Sequence, residues 1–132
     1  RPRRLAMGTV RDIMMKDVAT VSKGESLQNV CKLLTSKRLS GVPVVDAKRN
    51  LAGFISERDI ITAFGEGKFA KKKVSDVMTR KVFSIEDDRP IDQVSQIFTD
   101  KPFRYVPVTK GDKLVGIVSR RDIISKLLGQ YY

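Results

Sequence analysis

Two tetrads, Ser56-Glu57-Arg58-Asp59 and Ser119-Arg120-Arg121-Asp122, hold the residue types in this sequence best suited to gripping a ligand. Each pairs a hydroxyl with a carboxylate three residues on, where a short β-prone run gives way to a helical pattern. A helix start offers free N–H groups and the positive end of the helix dipole, which favour a phosphate. An ionised carboxylate accepts two hydrogen bonds from a vicinal diol and so suits the edge of a ribose. The same spacing also makes a capping box, with Asp in place of the usual Glu. The two roles are compatible, because one serine cannot satisfy every free N–H of a helix start.

Other chemistries are poorly served. The chain has no histidine and one cysteine, which excludes Ser-His-Asp and Cys-His nucleophile systems and most zinc sites. Cys31 can form no internal disulfide, points to a reducing, cytoplasmic setting, and falls on an apolar helical stripe as a buried, inert thiol. No nucleophile–base pair, metal ligand set or paired-carboxylate motif stands out, so the chain does not read as an enzyme and requires no cofactor for catalysis. Gly65-Glu66-Gly67-Lys68 lacks the spacing and the trailing Ser/Thr of a phosphate loop and reads as a helix stop.

The elements that must position the tetrads occur twice. Sliding residues 10–47 forward by 64 superimposes ten identical residues, among them Val10, Asp12, Met14, Val42 and Pro43 on Val74, Asp76, Met78, Val106 and Pro107. After a one-residue deletion, Leu51, Gly53, Ser56, Arg58, Asp59, Ile60 and Ile61 match Leu114, Gly116, Ser119, Arg121, Asp122, Ile123 and Ile124 at an offset of 63. Such self-similarity in one frame marks a duplicated structural unit.

Each copy reads β-α-β-β-α after a short helical turn at Val10–Met14 or Val74–Met78, the first capped by Thr9. Short strands are expected at Val18–Val21 and Val82–Ile85. Amphipathic helices follow, with stripes Leu27, Val30, Cys31, Leu34 and Ile91, Val94, Phe98; the second should start at Asp88 with Pro90 in its first turn. Two hairpins come next, Val42–Val45 with Leu51–Ser56 around the turn Asp46–Asn50, and Tyr105–Thr109 with Leu114–Ser119 around Lys110–Lys113. Pro43 and Pro107 suggest a strand start or an edge, since proline donates nothing to a ladder. Helices Glu57–Phe64 and Arg120–Leu128 close the copies. The organisation is therefore a basic arm at 1–9, repeat one at 10–64, a basic linker at 65–73 and repeat two at 74–132. A half of this length is marginal alone, so the expectation is a mixed α/β (α+β) fold with the two repeats packed sheet to sheet over a shared core.

The net charge is +11, of which the arm (Arg1, Arg3, Arg4) and the linker (Lys68, Lys71, Lys72, Lys73 against Glu66) each supply +3. That is either a pair of solvating segments or an attraction for a polyanion such as nucleotide phosphate, nucleic acid or an acidic protein surface. Against nucleic acid, neither segment interleaves aromatics with its cations, Phe69 excepted. No run approaches a membrane span and no signal peptide is visible; residue 1 is Arg, which suggests a fragment of a longer protein.

The strings Val-x-Asp-Ile-Met at 10–14, Gly-Val-Pro-Val-Val-Asp at 41–46 and Gly-Phe-Ile-Ser-Glu-Arg-Asp-Ile at 53–60 resemble a cystathionine-β-synthase (CBS) motif. Val-Ser-Asp-Val-Met, Tyr-Val-Pro-Val and Gly-Ile-Val-Ser-Arg-Arg-Asp-Ile repeat it in the second half. Tandem pairs of this kind, Bateman modules, form a disc with two clefts between the motifs and usually dimerise. Many bind AMP, ADP, ATP, S-adenosylmethionine or NAD and regulate an attached or separate effector. The resemblance implies an adenylate ligand held by Asp59 with Ser56 and by Asp122 with Ser119. It also directs attention to Thr20 and Ser84 at the end of the first strand, to Arg58 and Arg121 beside each aspartate, and to Arg104 near a ligand phosphate, where the first half has Ser40. Val42 and Val106 stand where an adenine slot would be lined, although apolar strand residues are first of all core. Met15 departs from the threonine common after Ile-Met in the family and Thr79 keeps it, so the second half is the closer match.

Overall fold

The computed structural model describes residues 8–131, so Arg1, Arg3 and Arg4 of the basic arm lie outside the described residues. The helices are α1 (Leu27–Lys37), α2 (Glu57–Gly65), α3 (Val74–Val77), α4 (Ile91–Asp100) and α5 (Arg120–Tyr131), with a 3-10 turn at Val10–Asp12. The strands are β1 (Gly41–Val45), β2 (Leu51–Ser56), β3 (Ile85–Glu86), β4 (Tyr105–Lys110) and β5 (Lys113–Ser119). The class is mixed α and β with two small sheets, β1-β2 and β3-β4-β5.

Both hairpins form where the β-prone runs predict. In each, the antiparallel ladder slips by one residue, between Val44 and Val45 and between Val108 and Thr109. The turns differ by the deletion. Asp46 Oδ1 accepts the amides of Lys48 and Asn50, each at 2.9 Å, which braces the longer first turn. The second is the two-residue loop Gly111-Asp112 with Gly111 at φ 65°, a backbone that glycine enters without steric cost.

The short leading strands differ from expectation. Residues 18–21 contribute a single parallel bridge, Val21 to Val44, and the second copy pairs at Ile85–Glu86 rather than over Val82–Ile85. Proline explains the truncation. Val21 N–H donates to the Pro43 carbonyl (3.2 Å) and Val45 N–H to the Val21 carbonyl (3.0 Å). The next rung of a parallel ladder would need an N–H from Pro43, which has none, and Pro107 stands at the same point of the second copy. Helix α4 likewise begins at Ile91 with Pro90 as its N-cap, not at Asp88. At the matching place α1 has Ser26, whose hydroxyl accepts Asn29 N–H at 3.1 Å.

The compact units are offset from the sequence repeats. One unit comprises residues 19–82; the other joins 8–18 to 83–131. The leading turn of each repeat thus packs on the sheet of the other repeat. Val10 N–H donates to the Arg89 carbonyl (2.8 Å) and Arg11 N–H to that of Asp87 (3.0 Å). In the other unit Val74 N–H donates to Glu25 (3.0 Å) and Ser75 N–H to Lys23 (3.0 Å), the same bonds displaced by 64 residues. Each unit has its own core. Val21, Leu27, Val30, Val42, Val44, Ile55, Val74 and Met78 fill one. Val10, Ile85, Ile91, Val94, Phe98, Val106, Val108 and Val118 fill the other.

Candidate functional site

Ser56 ends β2 and is the N-cap of α2. Its amide and its hydroxyl both donate to Asp59 Oδ2, at 2.9 and 3.0 Å, while its Oγ accepts Asp59 N–H at 3.3 Å. Ser119 and Asp122 repeat this at 2.7, 3.0 and 3.3 Å. Both tetrads are therefore capping boxes, and in both the carboxylate is fixed through one oxygen; Oδ1 accepts none of these bonds. Both aspartates are half-buried. The helix start of α2 is less generous with donors than its position suggests, because Glu57 N–H is already taken by the Ser40 carbonyl at 2.9 Å.

Strand register brings further candidates to the same end of each sheet. Gly41 lies opposite Ser56 and Val42 opposite Ile55; Thr20 immediately precedes the Val21 bridge and is half-buried. In the other unit Tyr105 lies opposite Ser119 and Val106 opposite Val118, and exposed Ser84 immediately precedes β3. Arg104 adjoins Tyr105 there and is exposed. Arg58 and Arg121 are exposed in the first turns of α2 and α5. Val42 and Val106 are 1% and 0% exposed, so their side chains belong to the cores.

Two features escaped the sequence reading. Phe83 and Phe103 stack at a tilt of 49° with centroids 5.4 Å apart, beside Ser84 and Arg104, and Phe83 is 43% exposed. The first half has Ala19 and Leu39 at these places, a difference visible in the sequence. The second is the duty of the motif glycines. A Cβ on Gly53 would lie 2.7 Å from Met78 Sδ and 2.8 Å from the Thr79 carbonyl oxygen; on Gly116 it would lie 2.5 Å from Met14 Sδ and 2.9 Å from the Met15 carbonyl oxygen. Those segments are paired to the sheet, Phe54 with Thr79 (2.9 and 2.8 Å) and Met15 with Ile117 (2.8 and 3.0 Å). The Ile-Met and Val-Met dipeptides and the glycine are thus two sides of one contact in each unit.

Charged groups outside the tetrads brace the second sheet. Arg11 Nε donates to Asp87 Oδ2 at 3.1 Å; that hydrogen bond, reinforced by the guanidinium charge, holds the buried Asp87 carboxyl below its ordinary range. Glu86 is lowered by the Gly111 amide (3.0 Å) and the Thr109 hydroxyl (2.7 Å). Asp12 is lowered chiefly by the Thr9 amide, and Asp46 chiefly by that of Asn50. Desolvation pushes the Cys31 thiol up, which keeps it protonated. Among the described residues no group of three or more Cys, Asp or Glu could hold a metal, and no helix is long and apolar enough to cross a membrane.

A family model described as "CBS domain" matches residues 10–66 and 74–129. The CBS domain-containing protein YhcV of Bacillus subtilis is 30% identical over 118 residues, 89% of this chain and 84% of that protein. The L-aspartate semialdehyde sulfurtransferase of Methanocaldococcus jannaschii is 31% identical over 130 residues, but these make up only 25% of its length. Among solved structures, CBSX2 in complex with AMP superimposes with a TM-score of 0.86 at 27% identity, covering 95% of this chain and 99% of that one. The CBS domain pair of MJ0100, in complex with 5′-methylthioadenosine and S-adenosyl-L-methionine, does so with 0.78 at 31% identity, covering 94% and 98%. With both repeats matched and nearly the whole chain superimposed, the protein belongs to the CBS-domain family as a tandem pair.

Proposed function

We propose that the chain is a non-catalytic regulatory module that binds an adenine nucleotide of the AMP, ADP or ATP type. The reading rests on the doubled Ser-x-x-Asp arrangement, in which a carboxylate pinned by one oxygen keeps the other for a ribose hydroxyl. Relatives solved with AMP and with S-adenosyl-L-methionine support it. In this reading Asp59 and Asp122 take the ribose, while Ser56, Ser119, Thr20 and Ser84 contribute hydroxyls. Arg58, Arg121 and above all Arg104 meet phosphate, to which a guanidinium bonds bidentately. The Phe83–Phe103 pair serves the base, whose π-face stacks on aromatic rings. Because Arg104 and the two rings have no counterparts in the first half, the site of the second half is the stronger one. Ile61 and Phe64 on α2, and Ile124 and Leu128 on α5, are each more than 60% exposed; we read these faces as the contacts of a homodimer through which occupancy reaches an effector.

Titration calorimetry with AMP, ADP and ATP tests the reading. Asp122→Ala is expected to weaken adenylate binding at least tenfold, since each hydrogen bond to a charged group contributes roughly 1.5–3 kcal/mol, and Asp59→Ala to weaken it less. Loss of the cap alone would lower stability by about 1 kcal/mol with no change in affinity. Unchanged affinity in both single variants and in the double variant removes the assignment.

A further inference from the structure

Charge is distributed unequally between the two compact units. Residues 19–82 carry 13 Lys and Arg against 6 Asp and Glu, a net +7, whereas residues 8–18 with 83–131 carry 10 against 9. The repeats at 10–64 and 74–132 differ little, +3 against +2; the lysine-rich linker, which packs with the first sheet, adds +3 and so supplies half of the difference between the units. We propose that the 19–82 unit carries a docking surface for the phosphate backbone of a nucleic-acid duplex, centred on the turn 68–73.

The backbone gathers six cations there. The amides of Lys71 and Lys72 both bond to the Lys68 carbonyl, at 3.2 and 3.1 Å, which winds the three lysines onto a single turn. Lys73 forms a β-bridge with Ser26. Two residues on, Ser75 collects the remaining two: its amide donates to the Lys23 carbonyl at 3.0 Å, and its own carbonyl accepts the Arg80 guanidinium at 3.0 Å. Lys23, Lys68, Lys71, Lys73 and Arg80 are exposed and Lys72 is half-buried. Three acids stand in the same region. Glu66 approaches Lys68 at a loose 3.7 Å, Asp76 accepts the Lys73 amide at 2.9 Å, and Glu25 accepts the Asn29 side chain at 3.2 Å. The local excess is positive, and among the described residues the Glu66 pair is the one ion pair it makes.

The composition of this rim selects its partner. Protein interfaces are depleted of lysine and enriched in aromatic anchors, whereas nucleic-acid interfaces are polar and strongly positive. An anionic lipid surface attracts the same cations but holds a protein more firmly where apolar groups insert beside the charge, and a single strand would require rings on which bases stack. The one aromatic residue of the turn, Phe69, is half-buried and set edge-on to Phe64 at 6.4 Å and 77°; Phe64 is exposed but lies on the α2 face read above as the homodimer contact, so the turn itself offers neither. What remains is a set of flexible point charges, which suits the dense, regular phosphates of a duplex without reading its sequence.

The test uses the full chain and a fluorescent DNA duplex of about 24 base pairs, titrated from roughly 50 to 200 mM salt, a range over which phosphate binding weakens steeply. Combined Lys68→Gln, Lys71→Gln, Lys72→Gln and Lys73→Gln should lower low-salt affinity at least tenfold. It should also flatten the log–log salt slope by about 3 to 4, near 0.9 for each phosphate left without its lysine. Lys71→Gln with Lys72→Gln should give about half that change in slope. Melting temperature and AMP binding should stay at wild-type values in both, which separates this surface from the adenylate reading. Absence of duplex binding by the wild-type chain, an unchanged slope in the quadruple variant, or tighter binding to the matched single strand or to phosphatidylserine vesicles overturns the proposal.

Discussion

Among the described residues a carboxylate three residues into a helical turn occurs four times. Asp12, Asp59, Asp76 and Asp122 each accept the amide of the residue that opens the turn, at 2.7–2.9 Å. Asp59 and Asp122 also accept a serine hydroxyl on the same oxygen, each at 3.0 Å, and Asp12 accepts that of Thr9 more loosely at 3.3 Å. The sequence marks all four aspartates by their repetition but does not separate the caps from the ligand candidates, because both tasks use the same residue types at the same spacing. The motif glycines are plainer once the neighbouring backbone is known. Gly53→Ala and Gly116→Ala would push a methyl group against a methionine sulfur and a carbonyl oxygen that is hydrogen-bonded in place. Each is expected to cost about 1–3 kcal/mol, the usual range for an overpacked site, and to lower the melting temperature by several degrees. Gly24→Ala, with nothing within 4 Å of the added carbon, should leave it within a degree or so of wild type.

At the scale of elements, the hairpins and the amphipathic helices were legible because their periods and turn residues agree with their final burial. Val30, Leu34, Val94 and Phe98 are buried as their helical spacing requires. The leading strands were not, since strand propensity at Val18–Val21 says nothing about the missing N–H of a proline more than twenty residues away. The packing of each leading turn on the sheet of the other repeat was equally hidden, because a repeat found by alignment carries no information about which copy its first turn joins. That packing sets the smallest piece able to fold. A fragment of residues 19–82 retains Val74, Met78 and the Phe54–Thr79 pairing and should melt cooperatively. Residues 10–66, though a complete repeat, lack them and should give no cooperative transition by circular dichroism.

At the scale of the whole molecule, the absence of histidine leaves no ordinary side-chain titration between pH 5 and 8, so stability should be flat there. Asp12, Asp46, Glu86 and Asp87 all have carboxyls held below their unfolded values. Their contribution is fully present above the unfolded carboxylate range, near pH 4, and is lost as pH falls through their lower folded values. Asp87→Asn removes the partner of Arg11 and should lower the melting temperature at pH 7. The gap to wild type should begin to narrow as pH falls below the unfolded carboxylate range near 4 and close as pH passes through the lower folded value; a gap that stays constant with pH would show that the Arg11 contact contributes nothing.

The crossed assignment of the leading turns also fixes an order of events at the ribosome. Residues 19–82 form a continuous stretch and can close as soon as Thr79 has cleared the exit tunnel. Met15, made earlier, must wait for Ile117, about a hundred residues downstream, and folding rates fall as partners become distant along the chain. The turn at Val10–Asp12 is therefore synthesised ahead of the sheet it joins and is among the last segments to find its seat.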